Sequence, residues 1–262
     1  MAILVLTSSG GAPGVTTLAV GLALTWPRPV LLADCDPGAH QAVLAGYLSG
    51  HSAGGKGLLR VAEAHRDRRG LQEVVIDQCL PLTTEDDHRR LFLPGFTRPG
   101  SAAHFAGVWV ELAETFDRLG EIEVDVIVDA GRIGIAGGLP PALLERSALT
   151  AVVLGSSLRS VMSARVHLPA LTEGRPGAGD LRGHTGLVLV DTSHPYGAGE
   201  IGRALGTEVL AQVPHDPATA AHFSDGAAQH RKFDASPLVR ALRATASTFA
   251  AALQRSAELV RS

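Results

Sequence analysis

"TSSGGAPGVTTLAV", Thr7–Val20, decides the reading of this chain. It follows the short apolar run "AILVL" (Ala2–Leu6), which suits a strand buried on both faces. After it, Leu18 and Leu22, and Ala19 and Ala23, recur at helical spacing until "WPRP" stops the helix. The stretch therefore joins a buried strand to a helix through a loop rich in glycine and serine. The same alternation continues outward. "VLLAD" (Val30–Asp34) and "VDVIVDAG" (Val124–Gly131) read as buried strands that reach an acid near their ends. "LTAVVLG" (Leu149–Gly155), "TGLVLVD" (Thr185–Asp191) and "TEVLAQVP" (Thr207–Pro214) read as further strands, and "RLFLPG" (Arg90–Gly95) as an additional one. Helices are expected over Ser101–Leu119, Leu158–Leu171 and Gly199–Leu205. Strands alternating with helices imply α/β architecture: a doubly wound, mainly parallel sheet with helices on both faces. One domain over residues 1–262 is expected, with Gly50–Arg98 as its least regular part and "TEGRPGAGDLRG" (Thr172–Gly183) as an exposed loop.

Composition narrows the function. Hydrophobic residues make up 45% and charged residues 19%, the balance of a globular chain rather than a disordered one. The net charge is -3, and the 23 basic residues are dispersed among 26 acids, so nothing resembles the clustered cations that drive DNA affinity. Only Lys56 and Lys232 are lysines, and both are expected on solvated surface, as are "HRDRRG" and "TTEDDHRR". Two cysteines, Cys35 and Cys79, make neither a disulfide framework nor a metal spacing. The apolar start is too short for a signal peptide and no run reaches membrane-spanning length, so a cytoplasmic location is expected.

The opening loop has the outline of a phosphate cradle. Glycines at a helix N-terminus let backbone N–H groups converge on an anion. A P-loop, G-x-x-x-x-G-K-[ST], adds a lysine for the outer phosphates and a hydroxyl for Mg²⁺. Gly14, Val15, Thr16 and Thr17 stand at the G-K-T-T positions, with Val15 in place of the lysine. The next strand strengthens the match: "LLADCDPGAHQ" resembles the Asp-x-Asp-Pro segment of the ParA/MinD family of P-loop ATPases. That family's loop, K-G-G-x-G-K-T-T, falls on Gly10, Gly11, Ala12, Pro13, Gly14, Val15, Thr16 and Thr17. Asp129 falls on its Walker B aspartate. "VLGSSLRSVMSA" and "LGTEVLAQVPHDPATA" resemble its later segments, the second of them the loop that contacts adenine. The Val15 variant is similar to the CpaE/TadZ branch of Flp/Tad pilus assembly.

The resemblance implies ATP or ADP with Mg²⁺, held by residues 10–17 with Asp191 and Pro214 on the nucleoside side. It places Thr16, Asp34 and Asp129 at the metal and Asp36 at the attacking water. It implies a homodimer with a protein partner from a pilus, secretion or positioning system, at a cell pole or the inner membrane face. The departures from the family matter as much. Its two lysine positions are Val15 and Gly10 here, and a cation on the transferring phosphoryl group is worth about 10³–10⁵ in rate. Weak or absent hydrolysis follows unless another cation substitutes. Arg132 is best placed in sequence for that, although an arginine there is more simply a surface or ion-pairing residue.

Rival readings are an active ATPase switch and a dinucleotide enzyme. "GGAPGVT" after a first strand also suits a Rossmann turn, but Tyr47 and Tyr196 are followed four residues on by His51 and Glu200, so a Tyr-x-x-x-Lys pair is missing. No His-Glu-x-x-His or Gly-x-Ser-x-Gly run occurs, and "EDDH" (Glu85–His88) reads as solvated loop rather than a metal site. Acids flanking Cys35 would raise its pKa and disable it as a nucleophile. The C-terminal segment places Leu238, Leu242, Phe249, Leu253 and Val260 near one helical face, with four arginines and one glutamate after Leu238. Packing on the protein's own sheet is expected, ahead of partner docking or membrane attachment.

Overall fold

A computed structural model describes residues 3–10, 14–83, 89–98, 100–133, 139–172, 184–190 and 196–261. The apolar runs form strands: β1 (Ile3–Ser8), β2 (Val30–Asp34), β3 (Leu80–Pro81), β4 (Arg90–Leu93), β5 (Asp125–Arg132), β6 (Leu149–Gly155), β7 (His184–Val190) and β8 (Val209–Val213). Between them lie α1 (Val15–Thr25), α2 (Leu58–Arg66), α3 (Leu71–Asp77), α4 (Trp109–Leu119), α5 (Pro141–Glu145), α6 (Leu158–His167) and α7 (Pro169–Thr172). The chain continues with α8 (Ala198–Leu205), α9 (Pro217–Asp225) and α10 (Pro237–Arg261). All eight strands join one sheet, in the order β3-β4-β2-β5-β1-β6-β7-β8, and every pairing is parallel except the short β3 against β4.

Continuous burial of β1 and β2 follows from helices on both faces. Leu4, Leu6, Leu32, Ile127 and Val153 face α1, α9 and α10. Ile3, Val5, Leu31 and Val128 face α2 to α5, while Val152, Leu154, Leu187 and Leu189 face α6 to α8 on that same side. From β1 the chain winds outward to β2, β4 and β3, returns as β5 beside β1, then leaves the other way through β6, β7 and β8. Such a reversal opens a crevice at the carboxyl ends of the central strands, where doubly wound folds place ligands.

The far end of the sheet is tied shut. Asp125 accepts the Trp26 indole N–H at 2.8 Å and the Arg28 guanidinium at 2.6 Å. Arg28 also donates to the Ala250 carbonyl at 3.0 Å, anchoring α10. As expected, the C-terminal helix packs on the protein itself: Leu238, Leu242, Phe249 and Leu253 are buried. The side chain of Val260 lies outside the described set. Helix α10 crosses α1 so closely that a Cβ at Gly21 would lie 2.7 Å from Leu242 Cδ1.

Three expectations need correction. The segment from Gly50 to Arg98 carries two helices, because Leu58, Val61 and Ala64, and then Leu71, Val74 and Val75, each make a buried stripe. "HRDRRG" accordingly straddles the end of α2. Ser101–Leu119 is not one helix but a 3₁₀ turn (Ser101–Phe105) followed by α4. The helix over Leu158–Leu171 is interrupted at Leu168, whose own angles remain helical (φ -56°, ψ -41°), because Pro169 has no N–H to continue the hydrogen-bond ladder.

Candidate functional site

At the carboxyl end of β1, Gly14 takes φ 80°, a left-handed angle that costs glycine nothing, and α1 starts at the next residue. The first turn of α1 has no side-chain cap and no acid, so its backbone N–H groups stay available to an anion. The Ser8 and Ser9 hydroxyls just before the loop are buried without a hydrogen-bond partner among the described residues, an arrangement that favours a polar ligand nearby. Gly10 lies under α6, whose Ser163 hydroxyl donates to the Ser9 carbonyl at 2.5 Å. Gly11, Ala12, Pro13 and Asp191 lie outside the described residues, as does the Glu85–His88 run.

Val15 is 7% exposed and belongs to the apolar cluster beneath α1. Its side chain is held in the core, where burial of a valine contributes about 1.5–3 kcal/mol, and only its backbone is presented to the crevice. Thr16 instead donates its hydroxyl to Asp129, which is 2% exposed at the carboxyl end of β5. Asp129 also accepts the Gly131 N–H at 3.0 Å. Burial pushes its pKa up to about 6, opposed by the Thr16 and Gly131 hydrogen bonds, raised further by the Asp36 charge and lowered by His40. Asp34, 9% exposed at the end of β2, is raised well above the carboxylate range by burial and then by the Asp129 charge. It accepts the Asp36 N–H at 3.2 Å.

Asp36 completes the group. Its Oδ1 accepts the Gly38 N–H at 2.8 Å, so it closes a turn as well as facing the crevice. The β5 backbone admits it only because residue 131 is glycine: a Cβ there would lie 2.4 Å from the Asp36 Cγ. Three carboxylates thus converge, and among the described residues no lysine or arginine acts on Asp129 or Asp34. Among the described residues no group of three or more His, Cys, Asp or Glu side chains is arranged to hold a metal by itself. That suits Mg²⁺, which takes one or two carboxylates and completes its shell with water and phosphate oxygens. Thr16, Asp34 and Asp129 carry oxygen atoms that could enter such a shell. Arg132 is exposed at the end of β5 and takes part in no ion pair among the described residues. Lys56 is exposed and donates to the Cys79 carbonyl at 3.1 Å, and Lys232 is exposed.

On the other flank of α1 a cavity of about 510 Å³ opens, within the range of sites for small organic ligands. Gly14 and Thr17 form its inner edge, Leu18, Phe223 and Leu242 its apolar floor, and Pro214 its rim. Helix α9 supplies one wall. Asp216 caps it, accepting the Thr219 N–H at 3.2 Å, and Pro217 fills its first position. Sequence reasoning reached Gly14, Thr17 and Pro214 but missed α9, the α10 contribution and His40. The Asp-Pro pair at 216–217 was the available signal for α9.

No protein-family model matches the sequence, and no curated protein does. Solved structures with the same fold exist. A ParA family ATPase from Chlorobium tepidum TLS superposes with a TM-score of 0.72 at 16% identity, covering 94% of this chain and 98% of that one. The MinC:MinD cell division protein complex of Aquifex aeolicus gives 0.68 at 15%, covering 95% of each chain. The septum site-determining protein MinD from Pyrococcus horikoshii OT3, complexed with Mg-ADP, gives 0.59 at 15%, again covering 95% of each. The fold of this chain is therefore that of the ParA/MinD P-loop ATPases.

Proposed function

We propose that this chain is a ParA/MinD-type protein that binds ADP or ATP with Mg²⁺ and hydrolyses ATP weakly or not at all. It acts as a spatial-positioning or assembly factor, and the resemblance of its Val15 loop to the CpaE/TadZ branch favours a pilus or secretion machine. The observation that carries the reading is the cavity of about 510 Å³ meeting the uncapped start of α1, with the Thr16–Asp129 pair on the opposite flank. A nucleoside fits the cavity, the diphosphate lies on the Gly14–Thr17 backbone, and Mg²⁺ meets Thr16, Asp34 and Asp129. When bound, the ion would neutralise phosphate charge; Asp36 would orient a water. Gly10 and Val15 supply no cation at the outer phosphate, and neutralising that charge is most of phosphoryl-transfer catalysis.

The protein works as a homodimer with a protein partner. Leu158, Met162 and Val166 lie exposed along α6, the helix whose Ser163 touches the loop, which supports a contact surface beside the nucleotide. No described helix is long and apolar enough to cross a membrane.

Isothermal titration with ADP, ATP and NADH, with and without Mg²⁺, tests the proposal. Adenine nucleotides should bind more tightly with Mg²⁺ and NADH should not bind; NADH binding alone would replace this reading with a dinucleotide one. Phosphate release should stay at the same background for the wild type and Asp36→Ala. A wild-type rate well above that of the variant would make the protein an active switch.

A further inference from the structure

The missing lysines leave a question of charge, and the loop after β2 answers it. Ala39 and Gln41 both take left-handed angles, φ 55° and 53°. Each costs a residue with a Cβ about 1 kcal/mol, and strain of this kind persists where surrounding structure imposes it and clusters at functional sites. Gln41 is pinned by its amide, which donates to the Phe96 carbonyl at 2.7 Å. Between these two residues stands His40.

Its Nε2 lies 3.8 Å from Asp36 Oδ2, and the imidazole is 61% exposed, so it has a free side toward solvent. Gly38 leaves room for the ring in this position: a Cβ there would lie 2.4 Å from Nε2 and turn the imidazole away. Among the described residues, the charged groups linked to it are Asp36 on its own loop and Asp129 from β5. His40 acts on Asp129 electrostatically, whereas Arg132 on the same strand as Asp129 does not.

We propose that His40, held against Asp36 by this strained loop, replaces the absent lysines as the cation that recognises the terminal phosphate of a nucleoside triphosphate. The inference rests on the nucleotide-binding reading above. A diphosphate reaches only the α1 backbone and is indifferent to His40; a triphosphate gains an imidazolium contact.

The test measures Mg-ATP and Mg-ADP affinities for the full chain, His40→Gln and His40→Arg, with thermal unfolding to verify each fold. The ATP-over-ADP ratio should be at least fivefold lower in His40→Gln than in the wild type, and at least as high as the wild type's in His40→Arg. A His40→Gln ratio equal to the wild type's overturns the role of His40 while ADP binding leaves the site itself intact. Loss of both nucleotides in the wild type takes down the proposal together with the reading beneath it.

Discussion

The two flanks of α1 are built on opposite principles. On one, Asp34, Asp36 and Asp129 are pressed together at the ends of β2 and β5, with desolvation and mutual repulsion raising the two buried ones. On the other, Leu18, Phe223 and Leu242 line a cavity that stays open among the described residues. The first flank carries electrostatic tension that a divalent cation relieves. The second is mainly apolar, with His215, Asp216 and Asp225 also in its lining, and suits a flat, largely apolar ligand. Affinity can therefore reside on the cavity side while chemistry, which needs positive charge on the acidic side, is weak.

Substitutions on each flank sharpen or break this contrast. Leu242→Ala removes a buried side chain shared by α10, α1 and the cavity, so stability should fall by about 2–5 kcal/mol, read by urea unfolding, with nucleotide affinity falling too. A loss under 1 kcal/mol would mean that α10 is not seated as described. Asp129→Asn should act in the opposite direction. The folded pKa of Asp129 is raised, so as pH climbs from about 4 to about 6 the unfolded chain releases a proton that the folded one keeps, and stability drops. A shift of that size corresponds to about 3 kcal/mol at most. The variant should thus melt several degrees higher than wild type at pH 7.5 and equally near pH 4, while Mg²⁺ no longer tightens nucleotide binding.

Val15→Lys restores the usual residue at a buried position, where the aliphatic stem must follow the core wall before the ammonium emerges. ATP affinity should rise about tenfold, or 1.4 kcal/mol, with ADP less affected; an unchanged ATP isotherm would show that the acidic flank lacks a phosphate position. The smallest expected effect concerns the thiols. Burial and the neighbouring acids raise Cys35, and burial pushes Cys79 up to about 12. Neither should react with a disulfide reagent at pH 8 before the protein unfolds.

The sheet was legible because parallel strands buried on both faces leave unbroken apolar runs, as "AILVL" and "VLLAD" do. Helices with weak flanking signals were not. Helix α2 hides three buried residues among four polar or charged ones, and α9 follows a loop whose Asp-Pro start is easily absorbed into the preceding strand. In the site, Thr16, Asp34, Asp36 and Asp129 could be named from the sequence because the resemblance to the ParA/MinD family falls on them. The cavity could not, because α9 and α10 reach it from residues 217–242, two hundred positions beyond the loop they face. His40 stayed hidden for another reason: its importance lies in the angles of Ala39 and Gln41, which composition does not encode.

The seam at Gly21 and Leu242 has a mechanical outcome. Leu238 and Leu242 lie on the cavity wall and also belong to the core cluster that seats α10, so a molecule lodged there braces the tail of the chain. Occupancy should consequently slow amide exchange along the last helix, and whatever grips or pries that helix from outside must loosen or tighten the ligand by an equal amount of free energy.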